Sequence, residues 1–309
     1  MTAKKQRAKK RRPRVAQQPQ QRQQQQSPRW FFVTAGLAAI LLAVGLGALW
    51  LQADDADRTA AADPGLVHVH GLGVNPADGA LYIATHTGLW RLPRGARDPT
   101  RIGESRQDTM GFTIVGPDHF LGSGHPDNVR QPPLLGLIES NDRGEDWNSI
   151  SLLGEADFHV LRAVGSLVYG YDVTNARLMV STNGGREWME RRPPPVIDLA
   201  PNPTNPTHLV ASTEQGLLVS RDSGERWSPL GDGLGLLAWP TPKALYLVTG
   251  AGDVLRSNDG GRRWTRAGQI GGQPAALLAA TEQELYAAVH LGGIVRSHDG
   301  GRTWQTVTS

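Results

Sequence analysis

The chain has 309 residues, no cysteine and a formal net charge of +3. The lack of cysteine excludes disulfides, thiol catalysis and thiolate metal ligands. The positive excess lies in residues 1–29, with ten Lys or Arg and no acid, whereas residues 54–309 hold 22 basic and 29 acidic residues. A domain that wraps nucleic acid is therefore not supported, because the basic charge is terminal and not spread over a folded face.

Residues 30–51 form a run of 22 uncharged, mostly apolar residues with Trp30 and Trp50 at its ends. A helix needs roughly 20 such residues to cross a bilayer, and aromatic rings favour its interfaces. The basic cluster precedes this run and aspartates follow it, so the positive-inside rule predicts a single-pass anchor with a cytoplasmic N-terminus. The alternative, a cleaved signal peptide, usually has a shorter apolar region of about 7–15 residues.

This topology predicts a cell-membrane protein in four parts. Residues 1–29 are a basic, Gln-rich, disordered cytoplasmic tail, residues 30–51 the transmembrane helix and residues 52–65 a linker. Residues 66–309 then form an extracellular (extracytoplasmic) domain.

An internal repeat dominates this last part. Five segments match S-x-[DN]-x-G-x-x-W, with start-to-start spacings of 41, 39, 37 and 40 residues. These box segments consist of Ser140, Asp142, Gly144 and Trp147; Ser181, Asn183, Gly185 and Trp188; Ser220, Asp222, Gly224 and Trp227; Ser257, Asp259, Gly261 and Trp264; and Ser297, Asp299, Gly301 and Trp304.

The box chemistry suits a tight turn between two strands. Ser and Asp oxygens accept hydrogen bonds from nearby backbone N–H groups, and Gly supplies a positive φ. We expect the Trp ring to be buried under the next sheet. The boxes are therefore predicted to be scaffold.

Two β-rich stretches precede each box, and a similar pair at residues 66–104 lacks one. Four-stranded units of about 40 residues arranged radially form a propeller. The prediction is all-β: a six-bladed β-propeller preceded by one N-terminal transmembrane helix. Its blades are approximately 66–104, 105–150, 151–192, 193–230, 231–268 and 269–309.

The box segments are Asp boxes, or BNR repeats, and residues 66–309 resemble the sialidase-like superfamily of Asp-box propellers. Relatives in that superfamily include bacterial sialidases, sortilin-type receptor ectodomains and photosystem assembly factors. The motifs H-V-H-G-L-G, D-x-M-G-F and G-S-G-H-P-D are most similar to a bacterial membrane-anchored family classed with the glycosyl hydrolases. Fold alone does not imply function.

Aligning the blades predicts which side chains share one end of the central channel, where first strands begin and second strands end. Histidines concentrate there, and imidazole ligates zinc or copper, with a thioether favouring copper(I). A transition-metal site, with zinc or copper as cofactor, is predicted from His68, His70, His86, Met110, His125, His159 and His290, with Asp157 or Asp172 as possible helpers. The alternative is that each histidine simply hydrogen-bonds to backbone at a strand end.

Enzyme interpretations are less well supported. A sialidase needs an arginine triad, yet only Arg162 lies on a predicted inner strand, and no F-R-I-P-like motif occurs. Another glycoside hydrolase would need two carboxylates, and the catalytic candidates are Asp172, Glu155 and Tyr171.

The sequence thus predicts a membrane-tethered propeller whose His-rich face binds a transition metal or a polar ligand. The alternatives are a receptor-type scaffold for a protein partner and an enzyme acting on a glycan outside the cell.

Overall fold

The protein's structure is a computed structural model that describes residues 65–291 and 293–308. These residues form 24 strands in six four-stranded antiparallel sheets, and each sheet keeps its strands in chain order. The predicted six-bladed, all-β architecture is confirmed. The chain divides into two units, Met1–Ala62 and Asp63–Ser309, and the second contains all six sheets.

The first three blades hold strands β1 to β12. They are β1 Val69–Val74, β2 Leu81–Thr85, β3 Gly88–Leu92, β4 Thr100–Arg101; β5 Asp108–Gly116, β6 His119–His125, β7 Leu137–Ser140, β8 Asn148–Ser151; and β9 Phe158–Val164, β10 Leu167–Asp172, β11 Arg177–Ser181, β12 Met189–Arg191.

The last three blades hold strands β13 to β24. They are β13 Val196–Pro201, β14 Leu209–Thr213, β15 Gly216–Ser220, β16 Ser228–Gly231; β17 Gly235–Thr241, β18 Ala244–Thr249, β19 Asp253–Ser257, β20 Thr265–Gln269; and β21 Pro274–Ala279, β22 Leu285–Val289, β23 Gly293–Ser297, β24 Gln305–Thr306.

The predicted anchor at residues 30–51 lies outside the described residues. In the part of the chain that the structure describes, no helix has the length and apolar character needed to cross a membrane.

The first strand of each blade packs against the first strand of the next blade, and β21 packs against β1. The ring therefore closes between the first and last blades, although every described sheet is built from consecutive strands and exchanges none. The contact that closes the ring is apolar, because Leu72 and Trp90 of blade 1 share a buried cluster with Tyr286 and Ile294 of blade 6. Removing such side chains from water is what holds these two blades together.

The second strand of each blade is the most deeply buried. All five residues of β2 and of β14 are buried, as expected for a sheet covered on both faces by neighbouring blades. These strands read as continuous apolar runs in the sequence, whereas the short fourth strands are mostly exposed.

The box segments form one and the same turn between the third and fourth strands. In the third box, Ser220 Oγ accepts hydrogen bonds from the N–H groups of Gly224 (2.8 Å) and Asp222 (3.3 Å). The Asp222 carboxylate accepts the N–H of Arg226 at 2.9 Å. In the second box, Asn183 Oδ1 accepts the N–H of Glu187 at 2.9 Å, so the amide takes the place of the carboxylate.

The box glycine is required for two reasons. Gly224 has φ +82°, and a Cβ there would lie 2.7 Å from Leu178 of the preceding blade. The glycines of the other four boxes likewise have positive φ and approach a Leu or Val of the preceding blade.

The box tryptophan also faces the preceding blade. Trp227 packs on a cluster that includes Tyr169 and Leu178 of blade 3. The expectation that this ring is buried under the next sheet was wrong, because the turn carries it towards the earlier sheet.

Candidate metal centre

Six histidines meet at the end of the channel where first strands begin and second strands end. This histidine mouth comprises His68, His70, His86, His125, His159 and His290. Two carboxylates, Asp108 on β5 and Asp157 before β9, lie among them. The other described histidines, His119, His208 and His298, belong to the opposite ends of the strands.

The tightest group is a pair of histidines around one carboxylate. His86 Nδ1 lies 2.8 Å from Asp108 Oδ2, and His70 Nε2 lies 3.4 Å from Asp108 Oδ1. One ligand atom from each of these three residues lies within 4.8 Å of the other two. Two imidazoles and a carboxylate at this spacing are a set that divalent transition metals accept.

A second group, formed by His125, Asp157 and His159, lies beside the first and contacts it through His125. His125 Nδ1 lies 3.7 Å from Asp108 Oδ2, and its Nε2 lies 3.7 Å from Asp157 Oδ2. The same oxygen of Asp157 is 2.9 Å from His159 Nε2. The two carboxylates are therefore connected through the ring of His125.

The remaining two histidines extend the group across the ring closure. The ring of His68 lies 5.8 Å from that of His86 and 6.3 Å from that of His290 in the last blade. His68 has φ +49°, a left-handed conformation that is uncommon for residues other than glycine.

β-Bulges direct three of the predicted site residues into the channel. The register of the first strand with the second skips one residue at His70, at Met110 and at His159. A bulge turns the extra side chain away from the regular alternation. All three residues line one cavity in the channel.

Glycine permits the close strand approach at Asp108. Asp108 and His125 are direct partners in the β5–β6 ladder. Gly124, the neighbour of His125, has φ +139°, and a Cβ there would lie 2.0 Å from the carbonyl oxygen of Asp108.

The electrostatics of the mouth favour an ionised Asp108. Burial alone would raise the pKa of Asp108, but the imidazoles of His125, His70 and His86 around its carboxylate hold that pKa well below its ordinary value. In return, Asp108 raises the pKa of His86 and of His125. Burial, together with repulsion from the neighbouring imidazoles, lowers the pKa of His68.

Three buried polar atoms at the mouth make no hydrogen bond within the described residues. They are His70 Nε2, Asp108 Oδ1 and Asp157 Oδ1. Buried polar atoms in folded proteins are usually paired, and a bound water or ion would supply the partner that these atoms lack.

The cavity beside these residues has a volume of about 170 Å³. First strands of all six blades contribute to its wall. Leu72, Phe112, Ile197 and Leu277 supply apolar surface, and Arg162 supplies a guanidinium. That guanidinium is itself paired with Asp198 at 2.7 Å.

The structure places the three catalytic candidates differently. Asp172 is fully buried, and its carboxylate accepts four hydrogen bonds, from the N–H of Asp157 and of Thr174 and from the side chains of Asn175 and Arg177. Such saturation favours a structural role.

The other two candidates do not join Asp172 in one site. Tyr171 is buried in the cluster between blades 3 and 4, and burial raises the pKa of its hydroxyl. Glu155 is exposed in the loop before β9. A catalytic pair made from these residues is therefore not favoured by the geometry.

Asp108 is the central site residue that sequence reasoning missed. It is the first residue of the D-x-M-G-F motif, in which only Met110 was considered as a ligand. The signal was present, since Asp108 lies two residues before the bulge residue Met110, as His68 and Asp157 lie two residues before His70 and His159.

Comparisons with known proteins relate this fold to solved structures. No protein-family model and no curated protein matches the sequence. Among solved structures, a GH74 xyloglucanase from Xanthomonas campestris is similar at 20% identity and a TM-score of 0.51, covering 78% of this chain and 45% of that one. The chain thus spans less than half of the xyloglucanase.

Two further neighbours are more nearly covered. YCF48 from Cyanidioschyzon merolae has 15% identity and a TM-score of 0.50, with 79% of this chain and 85% of that chain covered. A chain of a nidogen/laminin complex has 13% identity and a TM-score of 0.59, with 73% and 91% covered. These likenesses show a shared β-propeller fold, in which this chain carries a histidine- and aspartate-lined mouth.

Proposed function

We propose that the protein is a metal-binding β-propeller whose histidine mouth holds one transition-metal ion on His70, His86 and Asp108. The observation that carries the proposal is the convergence of three ligand atoms within 4.8 Å of one another, from β1, the β2–β3 turn and β5 of two adjacent blades. His70 Nε2 and Asp108 Oδ1 face each other there without a hydrogen bond.

The ligand set favours zinc(II), with copper(II) as its competitor. Imidazole suits both metals, and a carboxylate is a common third ligand of zinc in open sites. Met110 lines the adjoining cavity, but the closest set of donors consists of nitrogen and oxygen. Three protein ligands leave a coordination position for water or a ligand.

The sequence supports two further parts of the proposal. The apolar run at residues 30–51, with basic residues before it and acidic residues after it, supports a single-pass anchor and an extracytoplasmic propeller. The five box turns with their repeated Ser, Asp or Asn and Gly contacts support membership of the Asp-box, sialidase-like superfamily.

The alternative functions have neighbours of the same fold. The xyloglucanase and the nidogen/laminin chain are similar in fold, and fold alone does not transfer activity. The buried, saturated Asp172 weakens the glycoside hydrolase alternative.

The test is metal content and affinity of the purified full-length chain in detergent. The chain is equilibrated with zinc or with copper, desalted and analysed for bound metal. We expect about one equivalent in the wild type. His70→Ala and Asp108→Asn should each weaken binding at least tenfold, since the loss of even an outer partner of a metal ligand costs about 10–100-fold.

His119→Ala is the matched control. His119 is half-exposed at the other end of β6, 3.4 Å from Glu139, and its loss should leave the metal content unchanged. A wild-type protein that retains neither metal, or variants that bind as the wild type does, would refute the site.

A further inference from the structure

A second cavity lies between blades 5 and 6, at the end of the strands that carries the box turns. Its volume is about 140 Å³. Its charged wall residues are Arg256 and Arg266 of blade 5 and Glu282, Asp299 and Arg302 of blade 6. This cleft shares no residue with the histidine mouth, and its wall has more cations than anions.

The cleft departs from the repeat in the charges that line it. Arg256 is the residue before the box serine of blade 5, and Arg302 follows the box glycine of blade 6. In the three earlier pairs of neighbouring blades with boxes, the same two positions hold Glu139 and Arg186, Val180 and Glu225, and Val219 and Arg262. Two cations therefore occupy these positions only in the pair formed by blades 5 and 6. Like charges around one cavity favour an ion of the opposite sign as its occupant.

Both guanidiniums keep hydrogen-bond donors for a ligand. Arg256 donates from Nη2 to Glu282 at 3.0 Å, and its buried Nε has no hydrogen-bond partner among the described residues. Within the same part of the chain, the guanidinium of Arg302 makes one hydrogen bond, from Nη1 to the backbone oxygen of Asp299 at 3.4 Å. Burial raises the pKa of the Tyr246 hydroxyl, and the charges of Arg256 and Arg302 both oppose that rise. The two guanidiniums therefore act on one and the same polar wall of the cleft.

Glu282 gives this wall a fixed acceptor. Its carboxylate accepts hydrogen bonds from the Thr241 hydroxyl and from Arg256. Its backbone oxygen accepts the Tyr246 hydroxyl at 2.6 Å. An ionised carboxylate has about four lone-pair positions, so Glu282 can accept a further hydrogen bond. Guanidinium donors beside a carboxylate acceptor suit an oxyanion that still carries a proton.

We propose that the cleft between blades 5 and 6 binds a phosphate group, either as the free ion or as a monoester. Guanidiniums recognise phosphate oxygens through their fork of N–H donors. Because the second pKa of a phosphate group is about 6, part of it carries one P–OH at mildly acidic pH, and this hydroxyl donates to Glu282. Sulfate has no such proton, so the carboxylate repels it. A volume of about 140 Å³ equals roughly four or five water molecules at about 30 Å³ each, which accommodates the phosphate group alone.

The experiment measures binding of inorganic phosphate, glycerol 1-phosphate and sulfate to the full-length chain by calorimetry, in a non-ionic detergent at about pH 6, near the second pKa of phosphate. Metal is first removed with a chelator, so that phosphate does not bind through an ion in the histidine mouth. We expect one phosphate per chain and sulfate binding weaker by at least about tenfold, because like charges brought together are costly. Arg302→Ala should weaken phosphate binding about 10–100-fold, the usual contribution of a hydrogen bond to a charged group.

Arg262→Ala is the matched control. Arg262 is exposed like Arg302 and holds the same position in the neighbouring box, but blade 4 has Val219 where blade 5 has Arg256. Its loss should leave phosphate binding unchanged. Arg302→Lys keeps the charge without the planar fork and should restore part of the affinity. Glu282→Gln should bring the affinities for sulfate and phosphate closer together, because the carboxylate that repels sulfate is gone.

Each outcome decides one part of the proposal. If neither inorganic phosphate nor its ester binds at about 10 mM, where a site with a Kd of about 1 mM would be mostly filled, the site is overturned. It is also overturned if Arg302→Ala binds phosphate as the wild type does. Tighter binding of inorganic phosphate supports the free ion as the ligand, and binding of the ester at least as tightly supports a phosphate on a larger molecule. If sulfate binds as tightly as phosphate, the selection by Glu282 is refuted.

Discussion

Ser220→Ala tests whether the box turns hold the propeller together. Ser220 is 1% exposed, and its hydroxyl accepts the Gly224 N–H at 2.8 Å and the Asp222 N–H at 3.3 Å while donating to the Asp222 carboxylate at 2.9 Å. The substitution removes all three hydrogen bonds and adds no bulk. A buried N–H left without a partner costs about 1–3 kcal/mol.

The expected fall in Tm depends on the size of the domain. A loss of about 2 kcal/mol corresponds to a fall in Tm of roughly 4–8 °C, since each kcal/mol shifts Tm by about 2–4 °C in domains of 150–250 residues. The fall can be measured by tryptophan fluorescence during heating, because Trp227 packs beside the turn.

Ser228→Ala is the control, because Ser228 is exposed on the fourth strand of the same blade. Its Tm should match that of the wild type. If Ser220→Ala unfolds at the same temperature as Ser228→Ala, the hydroxyl contributes nothing, and the argument that the box serine carries the turn is refuted.

Three further predictions follow from particular contacts. Backbone and side-chain hydrogen bonds lower the pKa of Asp222 and of Asp299 from 3.8 to about 2. A carboxyl group whose pKa is lowered in the folded state stabilises the protein above the pKa of the unfolded state, and this stability is lost as pH falls towards 2. The double variant Asp222→Asn/Asp299→Asn lacks both carboxyl groups. Its urea midpoint should therefore fall less than that of the wild type between pH 4 and pH 2. Gly124→Ala, whose Cβ would lie 2.0 Å from the Asp108 carbonyl oxygen, should lower the free energy of unfolding by about 1–3 kcal/mol and weaken zinc binding, both measurable by titration. Asp172→Ala should lower the free energy of unfolding by about 3 kcal/mol or more in urea denaturation, because it removes the buried acceptor of four hydrogen bonds, one of them from the mostly buried Arg177.

The repeated part of the fold was predictable because the signal recurs. Five box segments at near-constant spacing define the turns, and strands of alternating or continuous apolar character fill the distance between them. Each box is a local structure, in which a serine bonds with residues two and four positions later. Local contacts of this kind are readable from one sequence.

What the box tryptophan and Asp172 do was not predictable in the same way. Trp227 faces the preceding blade, and Asp172 accepts donors from a loop and from Arg177. Both outcomes depend on how the turn and the neighbouring sheet are oriented. The pattern of residue types along one blade does not predict how the turn and the neighbouring sheet are oriented.

The candidate site arises from departures from the repeat. A bulge shifts the register of the first strand by one residue at the same level in five blades, and the extra residues are His70, Met110, His159, Ile197 and Ala275. All five line the cavity. The bulge is thus a fixed backbone position whose side chain is free to vary between blades, because the sheet behind it keeps its hydrogen bonds whatever the side chain is. The side chains suited to chemistry fall in blades 1 to 3, beside Asp108 and Asp157, whereas blades 4 and 6 present Ile197 and Ala275. This division gives the channel a polar side and an apolar side, and small-molecule sites commonly combine apolar walls with a few convergent polar groups.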